Sequence, residues 1–338
     1  MSRQQHIPPD RVEPFLRAAL GSVSVGSGPS DLALDLLDRL ARVAFHADLD
    51  VKSLTPLDPA ATAEALPWHP ARARLVQLMV VLELLDHPTR PEVVAQVQRY
   101  ANALDVKDPM VNVGRRLAND HLATMYADIM RNSYYTAELR HELFHGHFWE
   151  MLRSKLAYTA IRGDQKIATK WQSLGDHPEG TLGRMTYEFY RTHNFPLPGE
   201  RHGIGEIGAH HDFVHILADY PTDPEGEIDV FAFIDTSSDD PKAFSQLVLT
   251  LGLFQNASIH HVAGKKVTIA RADTLADPGA TTRFADALQR GTRCTVDVLG
   301  GIDHFALAGE PVDALRERFS IAPKADLTSP GALDRFGT

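Results

Sequence analysis

The residues best suited to chemistry lie between Glu206 and Glu227, where His210, His211, Asp212, His215 and Glu227 are concentrated. On a helix, His211 and His215 are four residues apart and Asp212 and His215 three apart, so all three can share one surface. The Tyr220-Pro221 turn and the polar run after it can end that helix. Glu227 then stands at the start of the next largely apolar segment, Ile228 to Ile234. Two imidazoles and two carboxylates on adjacent helical edges suit one divalent cation, with zinc favoured. In a chain with 17 histidines, a solvated helix face with capping or ion-paired histidines is the competing reading.

A second cluster lies within Tyr134 to Tyr158 and comprises Glu138, His141, Glu142, His145 and His147. His141-Glu142-x-x-His145 has the zinc-protease spacing, two ligands one turn apart with a glutamate to activate water. No Gly-x-x-His follows at the longer metzincin spacing, and the third ligand has to come from elsewhere. The same residues also read as Glu138-x-x-His141 and Glu142-x-x-His145, the pairing used by carboxylate-bridged diiron bundles. Asp212, His215 and Glu227 would then complete an iron site for oxygen-dependent chemistry. That architecture places its two repeats on different helices, whereas these overlap on one, and a solvated helix face accounts for them equally well.

Helices must carry these groups. Leu32, Leu36, Leu37, Leu40, Ala41 and Ala44 recur at helical spacing, with Asp31 as N-cap, after a Gly/Ser-rich joint from Gly21 to Ser30. Residues 50–70 read as loop and short helix. Helices follow over Ala71 to Leu85 and Pro91 to Leu104, then over Pro109 to Met130 and through the second cluster. Further helices are expected from Gly180 to Tyr190 and from Pro241 to Phe254, the latter with Phe244, Leu247, Val248 and Leu251 inward. His260 and His261 follow in a loop or short strand, and Cys294 opens a short β-prone run. The expected fold is mostly α, a multi-helix, bundle-like domain with few or no strands. Its expected organisation is an N-terminal helical subdomain over 1–125, a metal-binding helical domain over 126–325 and a polar tail over 326–338.

His211-Asp212-x-x-His215, eleven residues, then Glu227 resembles the signature of the coenzyme Q (ubiquinone) biosynthesis protein four family. Gly180-Thr-Leu-Gly-Arg-Met-Thr-Tyr-Glu-Phe-Tyr190 with His193-Asn-Phe is similar to that family's glycine, leucine-glycine, tyrosine segment. Tyr220-Pro-Thr-Asp with Gly226-Glu227 resembles the joint between its two metal-bearing helices. Ala287 to Gly291 and Pro311 to Ile321 are similar to its closing segments, so the resemblance spans about 168–325. It implies a helical protein at the inner face of a membrane, with one cation held by His211, Asp212, His215 and Glu227. It also implies an apolar groove for prenylated substrates, and removal of an aromatic ring carboxylate with hydroxylation of that carbon. The cation would bind the aryl carboxylate and an adjacent phenolic oxygen, and His210 or Glu206 would move a proton. Two features depart from the family pattern: a long N-terminal region, and the absence of arginines just before the His-Asp pair, Arg201 being the nearest upstream cation. Recruitment to another small-molecule pathway fits these departures. A non-enzymatic lipid-binding or scaffold protein with a structural metal is the alternative class.

Composition bounds the partners. The chain has 338 residues, 43% of them apolar, enough for one large core or two modest ones. Its net charge of -10 and lack of dense Lys/Arg tracts argue against nucleic acid. The lone Cys294 rules out an internal disulfide and reads as a small buried apolar residue. With no apolar run of membrane-spanning length and a polar start, the expected location is the cytoplasm, with contact at the inner membrane face. The expected partners are an aromatic or prenylated small molecule and, for the protein itself, a second copy or a biosynthetic complex.

Overall fold

The computed structural model describes residues 7–113, 163–238, 240–256, 261–262, 265–266 and 272–334. Over these the chain is predominantly helical. Its only strands among the described residues are β1, His261–Val262, and β2, Lys265–Lys266, which form one antiparallel pair. No helix of the described residues is long and apolar enough to cross a membrane.

The chain divides into two compact units. One takes Met1–Asn132 with Phe231–Thr292, and the other takes Ser133–Val230 with Arg293–Thr338. The division is therefore not a single cut along the chain, because residues 231–292 return to the N-terminal helices.

The first unit contains α1 (Pro9–Val23), α2 (Asp31–Arg39), α3 (Pro59–Ala65), α4 (His69–Leu85) and α5 (Pro91–Ala103). Among these, α4 is buried along nearly its whole length, from Ala71 to Leu85, and it packs against α1 and α5. The helix α1 runs on through Gly21 and Ser22 to Val23, so the expected flexible joint is three residues shorter. Packing explains the extension: a Cβ at Gly21 would stand 2.1 Å from the Tyr100 hydroxyl oxygen, so the glycine admits α5 close to α1. The N-cap of α2 is Ser30, whose side chain accepts from the Ala33 amide, rather than Asp31. Beyond Arg39 the helix widens into a π-type turn, Leu40–Ala44, and stops before His46, which has φ 53°.

The long segment α10 (Pro241–Phe254) has the expected bounds and packs on α4. Just beyond it, Gln255 and Asn256 donate to the Leu85 and Asp86 carbonyls, each at 2.9 Å, satisfying backbone acceptors at the end of α4. Arg74 on α4 bonds both oxygens of the buried Asp235 at 3.2 Å and also the Gln77 side chain, which in turn donates to Asp108. Burial raises the pKa of both Asp108 and Asp235, with Arg74 opposing. The helix α11 (Ala280–Arg293) closes this unit.

The second unit contains α6 (Gln165–Gln172), α7 (Leu182–Thr192), α8 (Glu206–Ala218), the start of α9 (Pro224–Ser237) and α12 (Val312–Phe319). Trp171 of α6 is fully buried, its ring edge-on to Tyr190 of α7 and Phe305 and tilted against Phe213 of α8. The β-prone run after Cys294 forms turns instead of a strand, because the Asp297 side chain accepts from the Leu299 and Gly300 amides and folds the backbone on itself. Cys294 is buried, as its composition suggested. The C-terminal segment is bound to the same unit: the Ala332 amide donates to Asp219 and its carbonyl accepts from His193.

Candidate metal centre

The site is assembled at the turn between α8 and α9. The helix α8 ends where Asp219 adopts a left-handed conformation with φ 60°, and the Tyr220 amide folds back on the His215 carbonyl at 3.1 Å. Arg316 from α12 satisfies two of the last carbonyls, bonding Leu217 O and Ile216 O at 3.0 Å each. Asp223 then opens α9 by accepting from the Gly226 amide at 2.7 Å. A Cβ at Gly226 would lie 2.1 Å from the Pro221 carbonyl oxygen, so only glycine permits so tight a return. The return brings Glu227 opposite the histidines.

One ligand atom each from His211, His215 and Glu227 lie within 4.8 Å of one another. His211 Nε2 is 3.3 Å from Asp212 Oδ1 and 3.7 Å from Glu227 Oε2, and His215 Nε2 is 3.4 Å from Glu227 Oε1. The opposite ring nitrogens are committed: His211 Nδ1 donates to Gly208 O at 2.5 Å and His215 Nδ1 to Tyr220 O at 3.0 Å. A carbonyl can only accept, so in each neutral ring the proton sits on Nδ1 and the Nε2 lone pair faces the carboxylates. His215 Nε2 is buried and makes no hydrogen bond. Lone pairs turned toward carboxylate oxygens repel unless a cation lies between them. A divalent ion fits this donor set, and the two backbone carbonyls are the outer partners that orient imidazole ligands.

Without an ion, protons take its place. Burial pulls the His211 pKa down, but Asp212 and Glu227 outweigh it and hold the ring up at about 10. Burial raises Glu227, yet His215 and His211 overcome that and hold its carboxyl well below the usual range. Asp212 is shifted upward by its burial, which its two histidine neighbours only partly offset.

Asp212 occupies the edge of the cluster. Its Oδ2 accepts a hydrogen bond from the Tyr190 hydroxyl, and the phenol pKa is strongly raised by burial and by the Asp212 charge. Phe189, the preceding residue on α7, lies with its ring centroid 5.7 Å from that of His215.

His210 and Glu206 face away from this cluster. With 3.6 residues per turn, His210 is rotated by roughly 100° from His211, and its ring meets Trp171, Phe213, His304 and Phe305. Glu206 accepts from Lys170 Nζ at 2.8 Å and Trp171 Nε1 at 3.1 Å. The structure thus brings His211, His215 and Glu227 together, leaves Asp212 beside His211 at the edge of that group, and sets the two expected proton carriers elsewhere. His304 donates from Nε2 to Val298 O at 2.9 Å, and burial lowers its pKa to about 4. The second sequence cluster, Glu138, His141, Glu142, His145 and His147, lies outside the described residues, as do His260 and the His261 side chain.

Trp171 and His304 carry no functional signal in the sequence, while Phe189 and Tyr190 belong to the Gly180 to Tyr190 segment and read from composition as core. Their signal is tertiary: an aromatic residue in an amphipathic helix has the same period whether it fills a core or supports a ligand. No family model, curated protein or solved structure matches this chain.

Proposed function

We propose that this chain is a metal-dependent enzyme acting on a carboxylated or phenolic aromatic small molecule, in the manner of the ubiquinone-biosynthesis family it resembles. The observation that carries the reading is the convergence of the two Nε2 atoms on Glu227, with both rings held from behind by backbone carbonyls. A bound divalent ion would supply Lewis acidity, drawing charge from an aryl carboxylate and a neighbouring phenolic oxygen. His211, His215 and Glu227 would hold it, with Asp212 beside them. Zinc suits this donor set. Iron suits it too, since two histidines and one carboxylate also serve oxygen-activating iron.

Decarboxylation balances without an oxidant: the ring–carboxylate bond breaks, carbon dioxide leaves, the electron pair stays on the ring carbon and a proton takes the vacated position. Hydroxylation of the same carbon needs in addition dioxygen and a two-electron donor, and it belongs to the iron-loaded form. His210, turned toward Trp171 and His304, plays no part in this scheme. Phe195 and Ile204, exposed on the segment between α7 and α8, offer apolar surface for a prenyl tail or a membrane face. The test is release of carbon dioxide from carboxyl-labelled hydroxybenzoates, with and without a prenyl substituent, by zinc- and iron-loaded protein. Release that is lost in Glu227→Ala supports the reading, and no release from any of them with either metal contradicts it.

A structural-metal protein is the second reading. It is favoured by Asp212 Oδ1, 3.3 Å from His211 Nε2, as a fourth ligand that would close a tetrahedral shell.

A further inference from the structure

We propose that Tyr190 is the positioning residue that confines Asp212 to a single metal-facing oxygen; the proposal rests on the metal-centre reading above. Both side chains are buried, Tyr190 at 1% exposure and Asp212 at 7%. The phenol has one proton, which it donates to Asp212 Oδ2. Its ring is held by Trp171, edge-on at 5.7 Å, and by Phe189 at 5.8 Å, so the hydroxyl cannot swing away without disturbing packed aromatics. The remaining oxygen, Oδ1, is the one beside His211 Nε2 at 3.3 Å.

A carboxylate binds a cation through one oxygen or through both. With Oδ2 engaged by Tyr190, Asp212 has one oxygen to give. A bound ion would then be offered only Oδ1 of Asp212, beside His211 Nε2. Loss of the phenolic hydroxyl frees Oδ2 and lets Asp212 rotate about its last bond, which changes both the affinity and the shape of the site. A hydroxyl that merely found the nearest acceptor in a packed core would change neither.

The test compares wild type, Tyr190→Phe, Asp212→Ala and the double variant, each checked for folding by circular dichroism. Cobalt(II) serves as the probe, its affinity measured by chelator competition and its coordination by visible absorption. Tyr190→Phe is expected to weaken cobalt binding by about tenfold or more, the range found when outer partners of metal ligands are removed, and to alter the visible bands. In the Asp212→Ala background the same change is expected to do nothing further. The proposal is overturned if Tyr190→Phe matches wild type in affinity and spectrum, or if it weakens binding equally with and without Asp212. Should wild type itself not bind cobalt, the metal-centre reading falls and the role of Tyr190 falls with it. If wild type binds and Tyr190→Phe is unchanged, only the role of Tyr190 is lost.

Discussion

His215 Nε2 lies 3.4 Å from Glu227 Oε1 while its other nitrogen is already spent on the Tyr220 carbonyl. The neutral ring therefore meets a carboxylate with a lone pair. His211 repeats the arrangement one turn earlier, its Nδ1 on Gly208 O and its Nε2 beside Asp212 and Glu227. Such geometry is stable only with positive charge between the groups, whether a metal ion or added protons.

The proton alternative gives the metal-free protein a definite pH dependence. The pKa of His211 is raised to about 10, above the ordinary 6.5, so the stability it contributes is fully present below pH 6.5 and is lost as pH rises through about 10. Chelator-treated protein is expected to show a falling Tm between pH 7 and 10, and His211→Ala is expected to flatten that slope. Equal slopes in the two proteins would contradict the assignment.

His304 contributes to the acid side, beside His210, whose pKa burial also lowers. The His304 pKa is depressed to about 4 by burial, so its contribution is present above the unfolded value of 6.5 and lost as pH falls through about 4. His304→Phe is expected to reduce the drop in Tm between pH 6.5 and 4, whatever its effect at neutral pH. An unchanged drop would show that other groups carry the acid limb.

Gly226→Ala sets a Cβ 2.1 Å from a backbone oxygen that cannot rotate aside. Relief requires the start of α9 to move, at a cost of about 1–3 kcal/mol typical of overpacking, and Glu227 moves with it. The expected result is weaker metal binding with unchanged helix content by circular dichroism. Wild-type affinity would mean that the turn does not position Glu227.

In the first unit, Asp235→Ala leaves Arg74 without its carboxylate partner in a largely buried setting. Breaking a buried pair from one side costs about 3 kcal/mol or more, so urea unfolding is expected to show at least that loss. A change below about 1 kcal/mol, the range of exposed pairs, would mean that water reaches Arg74.

The helices were legible wherever periodicity and stop signals coincided: α4, α5 and α10 begin at or near Pro70, Pro91 and Pro241, residues that fit a first helical turn. The three histidine and carboxylate positions of α8 were legible because spacing fixes which side chains share a face. The same rule sets His210 apart from His211, and only the packed neighbours Trp171 and His304 show what its face meets. The N-cap of α2 is a choice between adjacent residues, Ser30 and Asp31, and the Ser30 side chain, accepting from the Ala33 amide, decides it. The return of residues 231–292 to the N-terminal helices depends on contacts far apart in sequence, such as Arg74 with Asp235, that no local pattern encodes.

Elemental analysis of purified wild type beside His211→Ala, Glu227→Ala and His141→Ala, with folding checked by circular dichroism, tests the central claim most directly. About one divalent ion per chain in wild type and His141→Ala, lost from folded His211→Ala and Glu227→Ala, is the predicted result. Metal retained in folded His211→Ala, or absent from wild type purified without chelator and then supplied with zinc or iron, would contradict it.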